Sequence, residues 1–307
     1  MQNQEIITIA MDIDDFITTM SIDDLGDRDK LDPIHYKKEY FIDIHFEHHQ
    51  QKYAVENLLT PGCADFLRFL FDHEKIRPAF FSAGIRARNL TLASQIVQML
   101  IDTGGDPTWM DRYDVYSRED CFDTTYIKED DEFQPKHFFG NYKKDLRVIY
   151  YGREEYQKVC RNLENMYPNK EKDDEMLKNI ILIEEDSSYL LAGQEKNMLL
   201  CPTFFQPHPY AVNYQNEDTP CEPEDTFRNF KSVNTIFYAA GVMDKTMKRY
   251  ASENLSVPEI LWEEQGTSWY NADRKVERFP LHFFTAGRDV LRKYNPDLNF
   301  AIEVDNK

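Results

Sequence analysis

The chain opens on a short apolar run, Glu5–Ile13 (EIITIAMDI), rich in β-branched residues. Such a run, too short for a buried helix and without polar alternation, predicts a strand covered on both faces of a parallel sheet. It ends in three aspartates, Asp12, Asp14 and Asp15. Glu39–Phe46 and Lys52–Leu58 predict the two arms of a hairpin around the polar tip HHQQ. Pro61-Gly62 breaks the chain before a short apolar helix, Asp65–Asp72. Arg77–Phe81 predicts a second strand, closed by Ser82-Ala83-Gly84. Leu90, Ala93, Ile96, Val97, Leu100 and Ile101 then share one helical face, which Gly104-Gly105 ends.

Tyr113–Tyr116 predicts a third short strand, and an acidic loop follows at Lys128–Glu132. Glu154–Asn165 and Glu171–Leu177 predict polar helices, whereas Asn179–Ile183 and Asn197–Cys201 predict buried strands. This alternation predicts an α/β fold: a Rossmann-like, mostly parallel sheet flanked by helices, with a hairpin insertion, over residues 1–206. Residues 206–223, rich in Pro, Asn and Glu, predict a linker or surface loop. Phe227, Phe230, Val233, Phe237, Ala240, Met247 and Tyr250 then mark one long amphipathic helix, with its apolar stripe in the core. Residues 207–307 are thus expected to form a mainly helical C-terminal extension packing on or beside the core.

Charge narrows the partners. Among 307 residues, 36 Lys and Arg stand against 55 Asp and Glu, a net charge of −19. No nucleic acid partner is expected, because such a partner needs clustered cations to replace phosphate counterions. An anionic substrate stays open, since a pocket can differ in sign from the whole surface. No apolar run reaches the roughly 18 residues of a membrane span. Membrane contact through the C-terminal extension has no support in the sequence. The N-terminus has no basic segment leading into an apolar stretch, so no secretory signal is expected. Five isolated cysteines, without a CxxC pair, suggest neither a disulfide framework nor a thiolate zinc site, and favour a reducing, cytoplasmic setting. His45, His48 and His49 read as an exposed hairpin tip and not as a zinc site. Cys121 reads as structural.

Four polar signals fall at or near the carboxyl ends of predicted strands, where open α/β sheets bind ligands: Asp12–Asp14, Ser82, Lys144 and Glu184–Asp186. Alone, a D-x-D after a strand is as easily a turn or helix cap, Ser82 a helix cap, and Arg118 a surface charge. Together, two carboxylates two residues apart can divide the labour of nucleophile and proton carrier. A further carboxylate from another strand can complete an oxygen-only Mg²⁺ site, while a lysine and a hydroxyl supply positive charge and hydrogen bonds.

In that order these stretches resemble the four motifs of the haloacid dehalogenase (HAD) superfamily. Within it they are similar to the small phosphatases of the RNA polymerase II C-terminal domain, the NLI-interacting-factor type. The matching stretches are MDIDDF at Met11–Phe16, TPGCADFL at Thr60–Leu67, Phe81–Gly84, Arg118–Cys121, GNYKKDL at Gly140–Leu146 and Glu185–Ser188. The resemblance covers about residues 5–206 and implies the HAD fold and a Mg²⁺-dependent phosphatase of phosphomonoesters. It makes Asp12 the nucleophile and Asp14 the general acid/base. Ser82, Lys144 and Arg118 would bind phosphate. Asp12, Asp14 (through its backbone carbonyl) and Asp186 would hold the metal, with Glu185 behind them. The branch lacks a large cap, which implies a phosphorylated protein or peptide substrate, either phosphotyrosine or phosphoserine/threonine. Departures from its pattern are Phe16 for threonine, Thr60 for arginine, Glu185 for aspartate and Ser188 for proline. Two other functions stay open: a non-catalytic peptide-binding relative and a phosphatase of small metabolites. Superfamily members also occur among effectors that intracellular bacteria deliver into host cells, which adds a host cytosol as a second setting.

Overall fold

The computed structural model describes residues 6–20, 41–123, 142–160, 170–204, 230–265 and 279–301. In chain order, β1 (Ile7–Met11) and β2 (Thr18–Met20) precede the hairpin of β3 (Phe41–His48) and β4 (Gln51–Leu59). Then come α1 (Cys63–Asp72), β5 (Ile76–Phe81), α2 (Arg86–Asp102) and β6 (Asp114–Tyr116). A short pair, β7 (Phe122–Asp123) and β8 (Tyr142–Lys143), leads to α3 (Arg147–Tyr151), α4 (Arg153–Cys160) and α5 (Lys170–Met176). β9 (Ile180–Glu184) and β10 (Met198–Leu200) complete the strands. α6 (Thr235–Tyr250), α7 (Val257–Gln265) and α8 (Leu281–Leu291) follow. The acidic loop at 128–132 and the linker at 206–223 lie outside the described residues.

Five strands form one parallel sheet in the order β10-β9-β1-β5-β6. β1 is central, with Ile9 paired to Pro78 of β5 on one side and to Ile181 of β9 on the other. Its apolar run is buried because both faces are covered, and Ile7, Ile9, Ala10 and Met11 have no exposed surface. Parallel strands in this order place the ends of β1, β5 and β9 side by side, which brings distant polar residues together.

β2, β4 and β3 form a second, antiparallel sheet, and β3 packs on α2. Its hairpin turns at His49 and Gln50, both left-handed (φ 49° and 63°). Two left-handed residues between paired His48 and Gln51 match the twist of the flanking strands.

Two expectations are corrected. Leu90 is 47% exposed, and the buried stripe of α2 instead runs through Leu92, Ala93, Ile96, Val97 and Leu100. The long C-terminal helix is interrupted at Asn234, a turn residue between the helical turn at Phe230–Val233 and α6. There the Asn234 side chain is engaged by the backbone N–H of Ala301, 2.8 Å away.

The C-terminal helices share the core cluster that holds the sheet. α6 and α8 cross on glycines: a Cβ on Gly241 would stand 2.0 Å from the carbonyl oxygen of Phe283, and one on Gly287 1.7 Å from that of Phe237. Gln265 of α7 caps the sheet edge, accepting from Leu200 N (3.0 Å) and donating to the carbonyl of Met198.

Candidate active site

Asp12 follows the last ladder residue of β1. Its backbone N–H donates to the carbonyl of Ile183 on β9 (2.9 Å), so the neighbouring strand fixes where its side chain starts. The chain then reverses through Asp15, a non-glycine residue at φ 57°, a conformation that Asp tolerates better than most. Asp15 N donates to Thr18 O (2.6 Å), and Thr18 donates back to Ile13 O through both its N–H (2.8 Å) and its hydroxyl (3.2 Å). Phe16 is fully buried edge-on to Phe66, with ring centroids 6.3 Å apart, and the Thr60 hydroxyl donates to its carbonyl. Where the resembled branch has a threonine, Thr18 and Thr60 thus brace the loop and an aromatic ring anchors it in the core.

Lys144 reaches Asp12 from 132 residues further along the chain. Its ladder contacts are Lys144 N to Tyr189 O (2.6 Å) and Leu191 N to Lys144 O (3.0 Å). The next residue, Asp145, is fully buried. It accepts from Arg147 Nη2 (2.7 Å), Tyr156 Oη (2.8 Å) and Gln194 Nε2 (2.8 Å), and this well-satisfied network holds the Lys144 turn in place. The Lys144 ammonium, 1% exposed, donates to Asp12 Oδ1 and to Glu184 Oε2, each at 2.5 Å. Burial alone would lower its pKa, but the Asp12 and Glu184 carboxylates outweigh it and raise the pKa above the ordinary lysine value.

Asp12, Glu184 and Glu185 each offer a carboxylate oxygen, and these oxygens lie within 4.8 Å of one another. Burial, then the neighbouring carboxylates of Glu184 and Asp14 against the opposing pull of Lys144, raises the Asp12 pKa well above the usual range. Burial followed by Glu184 and Asp12 does the same to Glu185. Glu185 Oε2 is buried with no hydrogen-bond partner. Three carboxylates against one ammonium leave two negative charges when all are ionised, and all the donors are oxygens. This donor set fits a hard divalent cation such as Mg²⁺.

The other predicted site residues are distributed as follows. Ser82, 1% exposed at the end of β5, donates its hydroxyl to Asp14 Oδ2 (2.8 Å) and accepts from Gly84 N (2.9 Å). The Asp14 carboxylate is held by Ser82 and gripped by Arg88 at 2.5 Å to Oδ1 and 2.8 Å to Oδ2. Arg118 is exposed on the rim, where its Nε donates to Ala83 O (2.9 Å) and its guanidinium lies 5.4 Å from the Tyr142 ring centroid. It braces the Ser82 loop. Asp186 is exposed, its Oδ1 accepting from Ser188 N (2.8 Å) as the cap of a short turn, and the cluster carboxylates come from the two residues before it. Burial pushes the Cys121 thiol up to about 12, so it is not a thiolate at neutral pH.

Of two further participants, Glu184 was read from sequence only as part of the acidic run Glu184–Asp186, without a role, and Arg88 was not singled out. Glu184 is the last residue of β9 and points its carboxylate inward. Arg88 had a legible signal: one turn before Leu92 and Ala93, the buried stripe of α2 falls on Arg88 and Asn89, two polar residues on an apolar face.

No family model matches the chain, and no curated protein matches it. Among solved structures the chain is similar to two of Fcp1, described as an essential RNA polymerase II CTD phosphatase, one of them a fission yeast variant bound to beryllium fluoride. Each match has 12% identity and a TM-score of 0.42, and covers 85% of this chain and 71% of the other.

Proposed function

We propose that this chain is a Mg²⁺-dependent phosphatase that hydrolyses phosphomonoesters through Asp12. The observation that carries the reading is the buried Asp12 carboxylate at the end of β1. One of its oxygens is occupied by Lys144 Nζ at 2.5 Å, and it lies beside the acidic pair Glu184 and Glu185. An isolated buried cluster of this kind is costly. A phosphate-handling site with a cation offsets that cost.

In this reading the free oxygen of Asp12 attacks phosphorus in line. The bond from phosphorus to the ester oxygen breaks as an aspartyl-phosphate forms, and Asp14 gives a proton to the departing oxygen. A water then attacks the same phosphorus and passes a proton to Asp14. The bond to Asp12 breaks and inorganic phosphate leaves. Lys144 holds Asp12 in place and supplies positive charge beside the transferring group, as an electrostatic stabiliser does. Asp12, Glu184 and Glu185 would hold Mg²⁺, which when bound would neutralise phosphate oxygens and fix them for in-line displacement. Glu184 and Glu185 take this role in preference to Asp186 because their carboxylates share the Asp12 cluster.

The substrate class we favour is a phosphorylated protein segment. The Asp14 side chain stays 38% exposed, which leaves the proton carrier within reach of a phosphate presented on a large molecule. The favoured setting is a reducing cytosol, in the cell of origin or in a host.

The test is hydrolysis of p-nitrophenyl phosphate and of a phosphopeptide panel, with Mg²⁺ and after chelation. Asp12→Asn is expected to abolish turnover while the fold, read by circular dichroism, is unchanged, and chelation is expected to stop the wild type. Retained turnover in that variant overturns the assignment of the nucleophile. A folded, Mg²⁺-loaded wild type inert on every phosphoester favours a peptide-binding protein, and activity confined to small metabolites removes the phosphoprotein substrate.

A further inference from the structure

We propose that Arg88 is a positioning residue that sets the carboxylate of Asp14 for proton transfer, and that Asn57 of the inserted sheet sets Arg88 in turn. The proposal rests on the reading of Asp14 as general acid/base.

Asp14 sits on a loop with its side chain 38% exposed, so packing alone does not fix its rotamer. Three donors fix it instead: Ser82 Oγ on Oδ2 (2.8 Å), Arg88 Nη1 on Oδ2 (2.8 Å) and Arg88 Nη2 on Oδ1 (2.5 Å). A guanidinium fork meeting both oxygens defines the plane of the carboxylate as well as its location, which a point charge such as lysine does not do.

Arg88 is itself only 6% exposed, an expensive place for a cation. Among the described residues, Asp14 is its one ion-pair partner. Its remaining contacts are to the side-chain oxygens of two fully buried asparagines, Asn57 (3.2 Å) and Asn89 (3.3 Å). Nε has no partner. A residue serving stability alone would be better replaced by an apolar one of similar volume. Here the fork is aimed at an acid whose side chain is open to solvent beside the buried cluster.

The surrounding loop is shaped around that fork. A Cβ on Gly84 would lie 3.2 Å from Arg88 Nη1, 3.1 Å from Ser82 Oγ and 2.8 Å from Asn89 Oδ1. Asn57 lies in β4, paired with Met20 and Ile42 across the three-stranded sheet. A route of direct contacts therefore runs from that sheet through Asn57 and Arg88 to Asp14.

The test compares kcat/KM for p-nitrophenyl phosphate, whose leaving group departs with little need of a proton, with that for phenyl phosphate, which needs one. Arg88→Met is expected to lose at least about tenfold more on phenyl phosphate than on p-nitrophenyl phosphate, within the range general acid catalysis supplies. Arg88→Lys, the milder change should the methionine variant fold poorly, and Asn57→Ala are expected to show the same selective loss to smaller extents. Equal losses on both substrates, or none, in folded variants overturn the proposal while leaving the phosphatase reading intact. A wild type that cleaves neither substrate nor any phosphopeptide overturns that reading, and this proposal with it.

Discussion

Glu185 Oε2 and the carboxylate of Asp186 lie one residue apart and face opposite worlds. The first is buried without a partner, whereas the second is exposed and caps a turn. A carboxyl whose pKa rises on folding holds its proton more tightly folded than unfolded, so above its unfolded range it subtracts from stability. Glu185 is such a group, through burial first and then the Glu184 and Asp12 charges. Glu185→Gln is therefore expected to stabilise the metal-free protein at neutral pH and, at the same time, to weaken Mg²⁺ binding. The expected weakening is on the order of tenfold or more, as for groups that tune metal sites. Thermal melts without metal and titration calorimetry with Mg²⁺ measure the two effects. Asp186→Asn is expected to move neither measurement appreciably. If Asp186→Asn weakens Mg²⁺ binding and Glu185→Gln does not, the ligand set shifts one residue along the chain.

At the scale of elements, the crossing of α6 and α8 carries a definite steric constraint. Alanine at Gly241 or Gly287 would bring a methyl to 2.0 Å or 1.7 Å from a backbone carbonyl oxygen, a group that cannot rotate away. Either substitution should force the helices apart and cost at least the roughly 1–3 kcal/mol of core overpacking. Urea unfolding measures it, and an unchanged midpoint for both variants removes the close crossing. Nothing in the local sequence marked these glycines, because a glycine inside a helical pattern signals weakness until its cross-helix neighbour is known. The strands were legible for the opposite reason: β1 and β9 lie in runs so apolar that burial was the simplest reading, and β5 in a short run closed by Ser82-Ala83-Gly84. The α2 stripe was legible in its middle and wrong at Leu90, because a periodic pattern does not mark the turn at which a helix meets an active-site loop. Asp12, Asp14, Ser82 and Lys144 could be picked out as candidates in advance, as each sits where a strand ends or a motif matches, and in the structure Lys144 meets Asp12 and Ser82 meets Asp14. Glu184 stood in the acidic run Glu184–Asp186, but which of its three carboxylates turns inward could not be read, since a run of acids after a buried strand does not show which side chain faces the site until the cluster is assembled.

For the whole molecule, the division between residues 1–206 and 207–307 drawn from sequence meets a core that runs across it. Phe237 and Phe284 belong to the same buried cluster as Ile9 and Phe66. A Cβ on Gly62, at the start of α1, would lie 3.4 Å from the Phe237 ring. Gln265 occupies the backbone groups of β10 that would otherwise form an open sheet edge. Ser232 donates to the carbonyl of Thr203 (2.8 Å), a second tie next to that edge. Removing residues 207–307 would therefore bare apolar surface of the core beside α1 and leave the outer edge of β10 open at one stroke. Each fully buried aromatic or aliphatic side chain so exposed forfeits about 1.5–3 kcal/mol. Several such losses exceed the roughly 5–15 kcal/mol by which ordinary domains are stable. A fragment ending at residue 206 is expected to lack a cooperative thermal transition and to aggregate, whereas the full chain melts in one step. A soluble fragment with a sharp melt and full p-nitrophenyl phosphate turnover would make the C-terminal helices an appendage. An unfolded fragment makes them part of the scaffold that holds the β9 end, and with it Glu184 and Glu185, against Asp12.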